Sequence, residues 1–151
     1  MILCLHVDGI ARPQGSKRHV GAGRIIESDP GLRKWRATLT AHAVAEIIHK
    51  ERQGARYPIT GPATLIVTFH FPRPKHHYRT GKYAHLLRDV APRLMQTGPD
   101  LDKLVRAVGD ALTDAGAVVD DKQIQLIRAA KKWCSPGEDP YVSIQLEGTH
   151  P

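Results

Sequence analysis

Six aspartates fall within the stretch GPDLDKLVRAVGDALTDAGAVVDDKQI, from Gly98 to Ile124: Asp100, Asp102, Asp110, Asp114, Asp120 and Asp121. The whole chain of 151 residues has 15 acidic side chains against 22 lysines and arginines, a formal net charge of +7. That balance favours a polyanionic partner, of which nucleic acid is the commonest. Concentrated carboxylates oppose such a partner unless they have a task of their own. Holding a divalent cation against a phosphate is such a task. Mg²⁺ takes hard oxygen ligands, one or a few carboxylates with waters and substrate phosphate completing its shell. An ion so held neutralises a phosphodiester, lowers the pKa of an attacking water and stabilises the leaving oxygen. A basic body then supplies attraction to DNA, and an acidic pocket supplies the chemistry.

The acids can do this only if the fold gathers them. A helix is expected from about Leu101 to Ala115, with Asp100 as a fair N-cap after Pro99. Leu101, Leu104, Val105, Val108 and Leu112 form its apolar face, and Gly116 is a stop signal. Fifteen helical residues span about 22 Å. Asp100 and Asp102 at one end therefore meet Asp120 and Asp121 beyond the other only if the AGAVV connection turns back along the helix. Close carboxylates repel one another unless cations occupy the gap. A plainer reading uses the same residues. Asp100 is then only a cap, Asp102 pairs with Arg106 and Arg106 with Asp110 at i,i+4, and Asp120 and Asp121 are turn residues. Spacing alone leaves both readings open.

The surrounding elements read strand, basic loop, helix, strand, long basic loop, helix, strand, strand. ILCLHVDG alternates, with Leu3, Leu5 and Val7 on one face. ARPQGSKRHVGAGR is a basic loop with room for a small hairpin, carrying Arg12, Lys17, Arg18 and Arg24. A helix follows, capped by Ser28 or Asp29 with Pro30 in its first turn. Leu32, Trp35, Leu39, Ala43 and Ile47 recur at helical spacing, and Gly54 can end it. GPATLIVTFHFP has apolar residues on both faces, which suggests a central strand. Residues 73–98 form a long loop with six basic residues against one acid, Asp89. Such length implies a functional loop or partial disorder. KQIQLIRAAKKW and YVSIQLEG should be the last strands, paired as a hairpin across the turn SPGEDP. The sum is one α+β domain over residues 1–151, a mixed sheet with two helices in the order β-α-β-α-β-β.

Composition narrows the class further. Hydrophobic residues make up 41%, ordinary for a soluble globular chain with a real core. Cys4 and Cys134 have no metal-like spacing and read as free thiols of a reducing compartment. The opening MILCLHVDGIARP is too short and polar for a signal peptide, and no apolar run approaches membrane-spanning length. No membrane partner is expected.

The segment PDLDKLVRAVGDALTDAGAVVDDKQI resembles the RusA family of Holliday junction resolvases. Members carry a D-x-D-N/K-L helix start, a D-A-L-T segment, an A-G turn and a D-D pair before a strand, here matched without a gap. ARPQGSKR is similar to the basic Pro-rich segment near the family's N-terminus. The resemblance implies that Asp100 and Asp102 are metal-binding catalytic carboxylates, with Asp121 the third and Asp120 its neighbour. It places a lysine four residues after the second aspartate, where this chain has Arg106. Arginine keeps the charge but cannot deprotonate, so a proton-transfer role does not carry over. Lys103 is the alternative cation. The resemblance further implies homodimers acting with Mg²⁺ or Mn²⁺ on four-way DNA junctions, in the cytoplasm of a bacterial cell or of a phage's host.

Other residues fit this reading or stand apart from it. Arg12, Lys17, Arg18, Lys75, Arg79, Lys82 and Lys103 are the expected DNA contacts. Tyr78 and Tyr83 can stack on exposed bases at a junction centre. His76 and His77 lack a partner at metal-ligand spacing and read as part of a solvated basic loop. His70, Trp35 and Trp133 read as core or interface residues. ARPQGSKR is no phosphate-cradling Walker loop. The expected function is hydrolysis of DNA phosphodiesters at Holliday junctions in recombination and repair, with metal-activated water as nucleophile. Two rivals remain: a nuclease for forks, flaps or other branches, and a structure-selective DNA-binding protein without cleavage.

Overall fold

A computed structural model describes residues 1–15, 17–27 and 29–150, with the backbone alone for Lys17, Arg18 and Glu27. Ser28, one of the two expected caps of the first helix, lies outside the described residues. Alternation builds the sheet. Strands β1 (Ile2–Asp8), β4 (Ala63–Phe71), β5 (Ile124–Trp133) and β6 (Tyr141–Gly148) form one sheet in the order β1-β6-β4-β5. Leu3, Leu5 and Val7 of β1, Leu65, Val67 and Phe69 of β4, and Val142, Ile144 and Leu146 of β6 are buried on one face. A small separate ribbon, β2 (Lys17–His19) with β3 (Ile25–Glu27), occupies the first basic loop.

Both helices close over the buried face. Helix α1 (Leu32–Glu51) buries Leu32, Trp35, Leu39, Ala43 and Ile47, the stripe expected from spacing. Each large apolar side chain removed from water in this way is worth about 1.5–3 kcal/mol. The cap differs from expectation. Gly31 is the N-cap residue, and Asp29 instead accepts a hydrogen bond from its backbone N–H at 2.8 Å. Helix α2 (Leu101–Asp114) buries Leu104, Ala107, Val108, Ala111 and Leu112.

The order of elements holds, but the expected pairing of the last two strands does not. β6 lies between β1 and β4 and is antiparallel to both, while β5 runs parallel to β4 at the sheet edge. The physical reason lies in the two strands' faces. β6 alternates cleanly and fills a central slot, whereas β5 carries Leu126 and Ile127 half exposed, as only an edge strand can. SPGEDP does turn, with Glu138 N–H bonded to the Ser135 carbonyl at 3.0 Å, but it carries the chain past the end of β4. The parallel pairing of β4 with β5 is possible because a long loop and α2 connect them.

The 73–98 segment has local structure of its own. It contains two short 3₁₀ turns, Lys75–His77 and Gly81–Tyr83, and a bridge between Tyr78 and Leu87. Arg79 N–H bonds the Leu86 carbonyl and Arg88 N–H the His77 carbonyl, each at 2.9 Å. His77 is buried, edge-on to Trp133 with ring centroids 5.2 Å apart. Burial, then the neighbouring His76 and Arg73, pushes its pKa below the ordinary imidazole value.

Candidate active site

The turn after α2 determines what the acids can do. Gly116, in the left-handed region at φ 76°, follows the last helical turn, and Ala117 N–H bonds back to the Leu112 carbonyl at 2.9 Å. Val118 then bridges to Ile59, and the chain reverses along α2. A methyl group placed on Gly109 would lie 4.0 Å from Cβ of Asp121. Further along β5, Lys131 reaches the residues just before α2, donating to the carbonyls of Thr97 at 2.5 Å and Pro99 at 2.9 Å. β5 therefore runs beside α2 in the opposite direction. The reversal that the acids require is present.

At the start of α2, Asp100 occupies the N-cap position but its side chain makes no cap hydrogen bond. Its carboxylate sits 3.4 Å from Nζ of Lys103. Asp102, in the first turn, is exposed. Arg106 is also exposed, and its guanidinium passes close over Gly15: an added Cβ there would meet Nη1 at 3.2 Å. Gly15 has φ 113°, a second reason for glycine. A cleft of about 110 Å³ runs between α2 and β5, lined by Arg106, Gly109 and Asp121 together with Leu65, Val105, Ile124 and Ile127. Arg106 and Asp121 thus face one space. Asp102, Arg106 and Gly109 lie at i, i+4 and i+7, on one side of the helix.

The plainer reading holds for Asp120 and Asp121, which do lie in a turn, and not for the two helix pairs. Neither Asp102 nor Asp110 pairs with Arg106 among the described residues. Asp110 accepts a hydrogen bond from the side-chain amide of Gln14 and lies 3.8 Å from Arg36. Arg36 also pairs with Asp114 at 2.5 Å. The pair Asp120 and Asp121 divides as well. Asp120 caps the 3₁₀ turn Asp121–Gln123, accepting from Lys122 N–H at 3.0 Å, while its own backbone N–H donates to Gln123 Oε1 at 3.1 Å. The bond from Lys122 N–H, with the Lys122 ammonium 3.1 Å away, lowers the Asp120 pKa.

Asp121 opposes Gly109, seven residues beyond Asp102, or about 10 Å along the helix axis. Among the described residues, no three of His, Cys, Asp and Glu come together as a metal-holding group. The donor set still suits a hard cation. Mg²⁺ is commonly held by one or two carboxylates, with waters and substrate phosphates completing its octahedron. Asp100 and Asp102 provide such oxygens at the helix start.

The remaining expected DNA contacts are spread over three places. Arg12 is turned to the start of α1, 3.9 Å from Asp29. Lys17 and Arg18 are on β2, their side chains outside the description. Lys75, Arg79 and Lys82 are exposed on the 73–98 loop, with Arg79 paired to Asp89 at 3.3 Å and Lys82 over the ring of Tyr83. Two residues went unnoticed in the sequence. Gln14 is buried, with its backbone N–H bonded to the Lys103 carbonyl at 3.0 Å, and it ties the first basic loop to α2. Lys131 ties β5 to the turn that presents Asp100. Neither link has a local sequence signal, because each joins segments distant in the chain.

The family described as endodeoxyribonuclease RusA matches residues 10–147. Among curated proteins, none matches the chain significantly. No helix among the described residues is long and apolar enough to cross a membrane.

Proposed function

The chain belongs to the RusA endodeoxyribonuclease family, and on that footing we propose that it is a divalent-metal-dependent Holliday junction resolvase acting in DNA recombination and repair. The observation that carries the reading is the state of Asp100. It stands where a cap belongs and makes no cap bond. With exposed Asp102 it forms an acidic edge, and one turn further Arg106 opens onto a cleft shared with Asp121.

In this reading Asp100 and Asp102 hold Mg²⁺, or Mn²⁺ in its place, with Asp121 contributing from across the cleft. The bound ion supplies phosphate neutralisation and a water of lowered pKa. Arg106 faces the scissile phosphate and stabilises the negative charge that grows on it. Lys103, beside Asp100, and the basic loops hold the flanking backbone. Asp120 is committed to its turn and supports Asp121 rather than sharing its role. Two chains act as a homodimer, one site for each of two symmetric nicks, in the cytoplasm where the DNA is.

The test is a labelled synthetic four-way junction incubated with the protein and Mg²⁺, beside a linear duplex of the same sequence. Paired nicks in the junction and none in the duplex are expected. Equal cutting of both, or faster cutting of forks and flaps, overturns the junction assignment. Tight junction binding with no cutting in Mg²⁺ or Mn²⁺ overturns the enzyme assignment.

A further inference from the structure

The 73–98 loop borders an open hollow, apart from the cleft between α2 and β5. Its volume is about 720 Å³, and Lys75, His76, Tyr78, Arg79, Thr80 and Arg88 line most of it. Three permanent cations and an aromatic ring around one hollow is an unusual investment for a connecting loop. The one acid of the loop, Asp89, engages Arg79. Lys75 and Arg88 have no acidic partner among the described residues. The hollow therefore keeps a positive field.

The backbone around it and the Arg79 side chain are fixed in advance. Tyr78 N–H bonds the Lys75 carbonyl at 3.1 Å, and the Arg79 guanidinium donates through Nε to the Leu87 carbonyl at 3.2 Å. Arg73 closes the stem on the Pro92 carbonyl at 2.7 Å while lying 5.9 Å from the centre of the Trp133 ring. A preformed site loses less entropy when it is filled. The loop leaves β4 and returns to Asp100 at the same end of the parallel strands β4 and β5. Trp133 and Lys131, both of β5, anchor its two ends. The stem of the loop is thus tied to the same strand as the turn that presents Asp100.

Aromatic surface with surrounding cations is the combination that holds unpaired nucleotides: the ring takes the base and the cations take the phosphate. We propose that this hollow binds one unpaired nucleotide at the branch point, its base against Tyr78 and its phosphate among Lys75, Arg79 and Arg88. Tyr83 is a poorer candidate because Lys82 already covers its ring at 5.1 Å. The inference rests on the DNA-branch reading above and adds to it a preference for branches that carry an unpaired nucleotide.

The test uses the full chain carrying Asp102→Asn, in metal-free buffer so that binding is read without cutting, and three four-way junctions. One is fully paired, one has a single unpaired nucleotide at the branch, and one has an abasic residue at that position. Binding to the unpaired nucleotide should be about tenfold tighter than to its abasic counterpart. Tyr78→Ala should erase that difference, while Tyr78→Phe and Tyr83→Ala preserve it. Arg88→Gln should lower the salt dependence of binding by about one phosphate contact. Equal binding of base and abasic junctions by the Asp102→Asn chain overturns the proposal without relying on any loop variant. So does a preference that survives Tyr78→Ala. Loss of preference for junctions over duplex in that chain sinks the branch reading itself, whereas flat base-against-abasic binding with that preference intact sinks only the nucleotide site.

Discussion

Asp102 and Asp110 are two turns apart on the same helix, and their surroundings could hardly differ more. Asp110 is engaged from two directions, by the Gln14 amide and by Arg36. Asp102 is exposed, with no such partner among the described residues. The contrast extends to the whole segment. Asp110, Asp114 and Asp120 fasten α2 to the first basic loop, to α1 and to its own return turn. Asp100, Asp102 and Asp121 fasten little and border the open side of α2. A basic protein thus uses one half of its acidic segment as scaffold and leaves the other half accessible. Residue type is the same in both halves, and the neighbours brought in by the fold tell them apart.

The largest expected effect is a clean exchange of phenotypes between these two positions. Asp102→Asn should reduce cleavage of a four-way junction by at least about 10²-fold, with junction binding kept or tightened and thermal stability unchanged. Asp110→Ala should do the reverse. It strands a buried Gln14 amide and an arginine, at a stability cost of about 1–3 kcal/mol by chemical denaturation, and leaves the rate of the folded protein near the parental value. An Asp110→Ala protein that is stable but inactive would show that the comparison has the wrong sides.

Arg106 sharpens the same line. As a surface partner of Asp102 or Asp110 it would contribute under about 1 kcal/mol to stability and nothing to the rate. It makes neither pair among the described residues and opens on the cleft with Asp121. Arg106→Ala should therefore lose roughly 10²-fold in single-turnover cleavage with its melting temperature little changed. Arg106→Lys should retain much of the activity. Parental cutting by Arg106→Ala would make the residue structural and turn attention to Lys103.

Local pattern carried most of the fold. The stripe from Leu32 to Ile47, the alternation of β1 and β4, and the start of α2 at Leu101 were all legible, because each depends on a period within one segment. The pairing of β5 and β6 was not. Turn chemistry in SPGEDP says that the chain bends there, but which strand it then meets depends on the slot left between β1 and β4. The site divides in the same manner. The D-x-D and its helix could be read directly, yet the division of Asp120 from Asp121 depends on Gln123 and Lys122, and that of Asp110 from Asp102 on Gln14 and Arg36. Those partners come from 74 to 96 residues away in the case of Asp110, beyond any pattern.

Lys131 should give an intermediate effect. Its ammonium holds the Thr97 and Pro99 carbonyls, fixing the turn from which Asp100 and Asp102 project. Lys131→Ala should lower the cleavage rate roughly tenfold by loosening that turn, with the loss in turnover rather than in junction affinity. Lys131→Arg, which can reach both carbonyls, should restore most of it. Equal rates in all three proteins would mean that the helix start needs no support from β5.

The smallest effect is expected at Asp120, and it tests the scaffold side of the comparison. Its carboxylate accepts the Lys122 N–H and sits beside the Lys122 ammonium, which hold its pKa below the usual carboxylate value. A carboxylate whose folded pKa is depressed adds stability above its unfolded pKa, and that stability is lost as the pH falls through the folded value. Asp120→Asn keeps an acceptor for the cap but cannot titrate. The parental protein should therefore be slightly the more stable of the two near neutral pH, and the gap should close as acid protonates Asp120. Asp120→Ala removes the cap altogether and should cost more than Asn at neutral pH. Cleavage by Asp120→Asn should remain close to parental, since the turn that presents Asp121 is kept. A loss as deep as that of Asp102→Asn, with stability intact, would move Asp120 across the line and make it a ligand of the metal rather than a support for its neighbour.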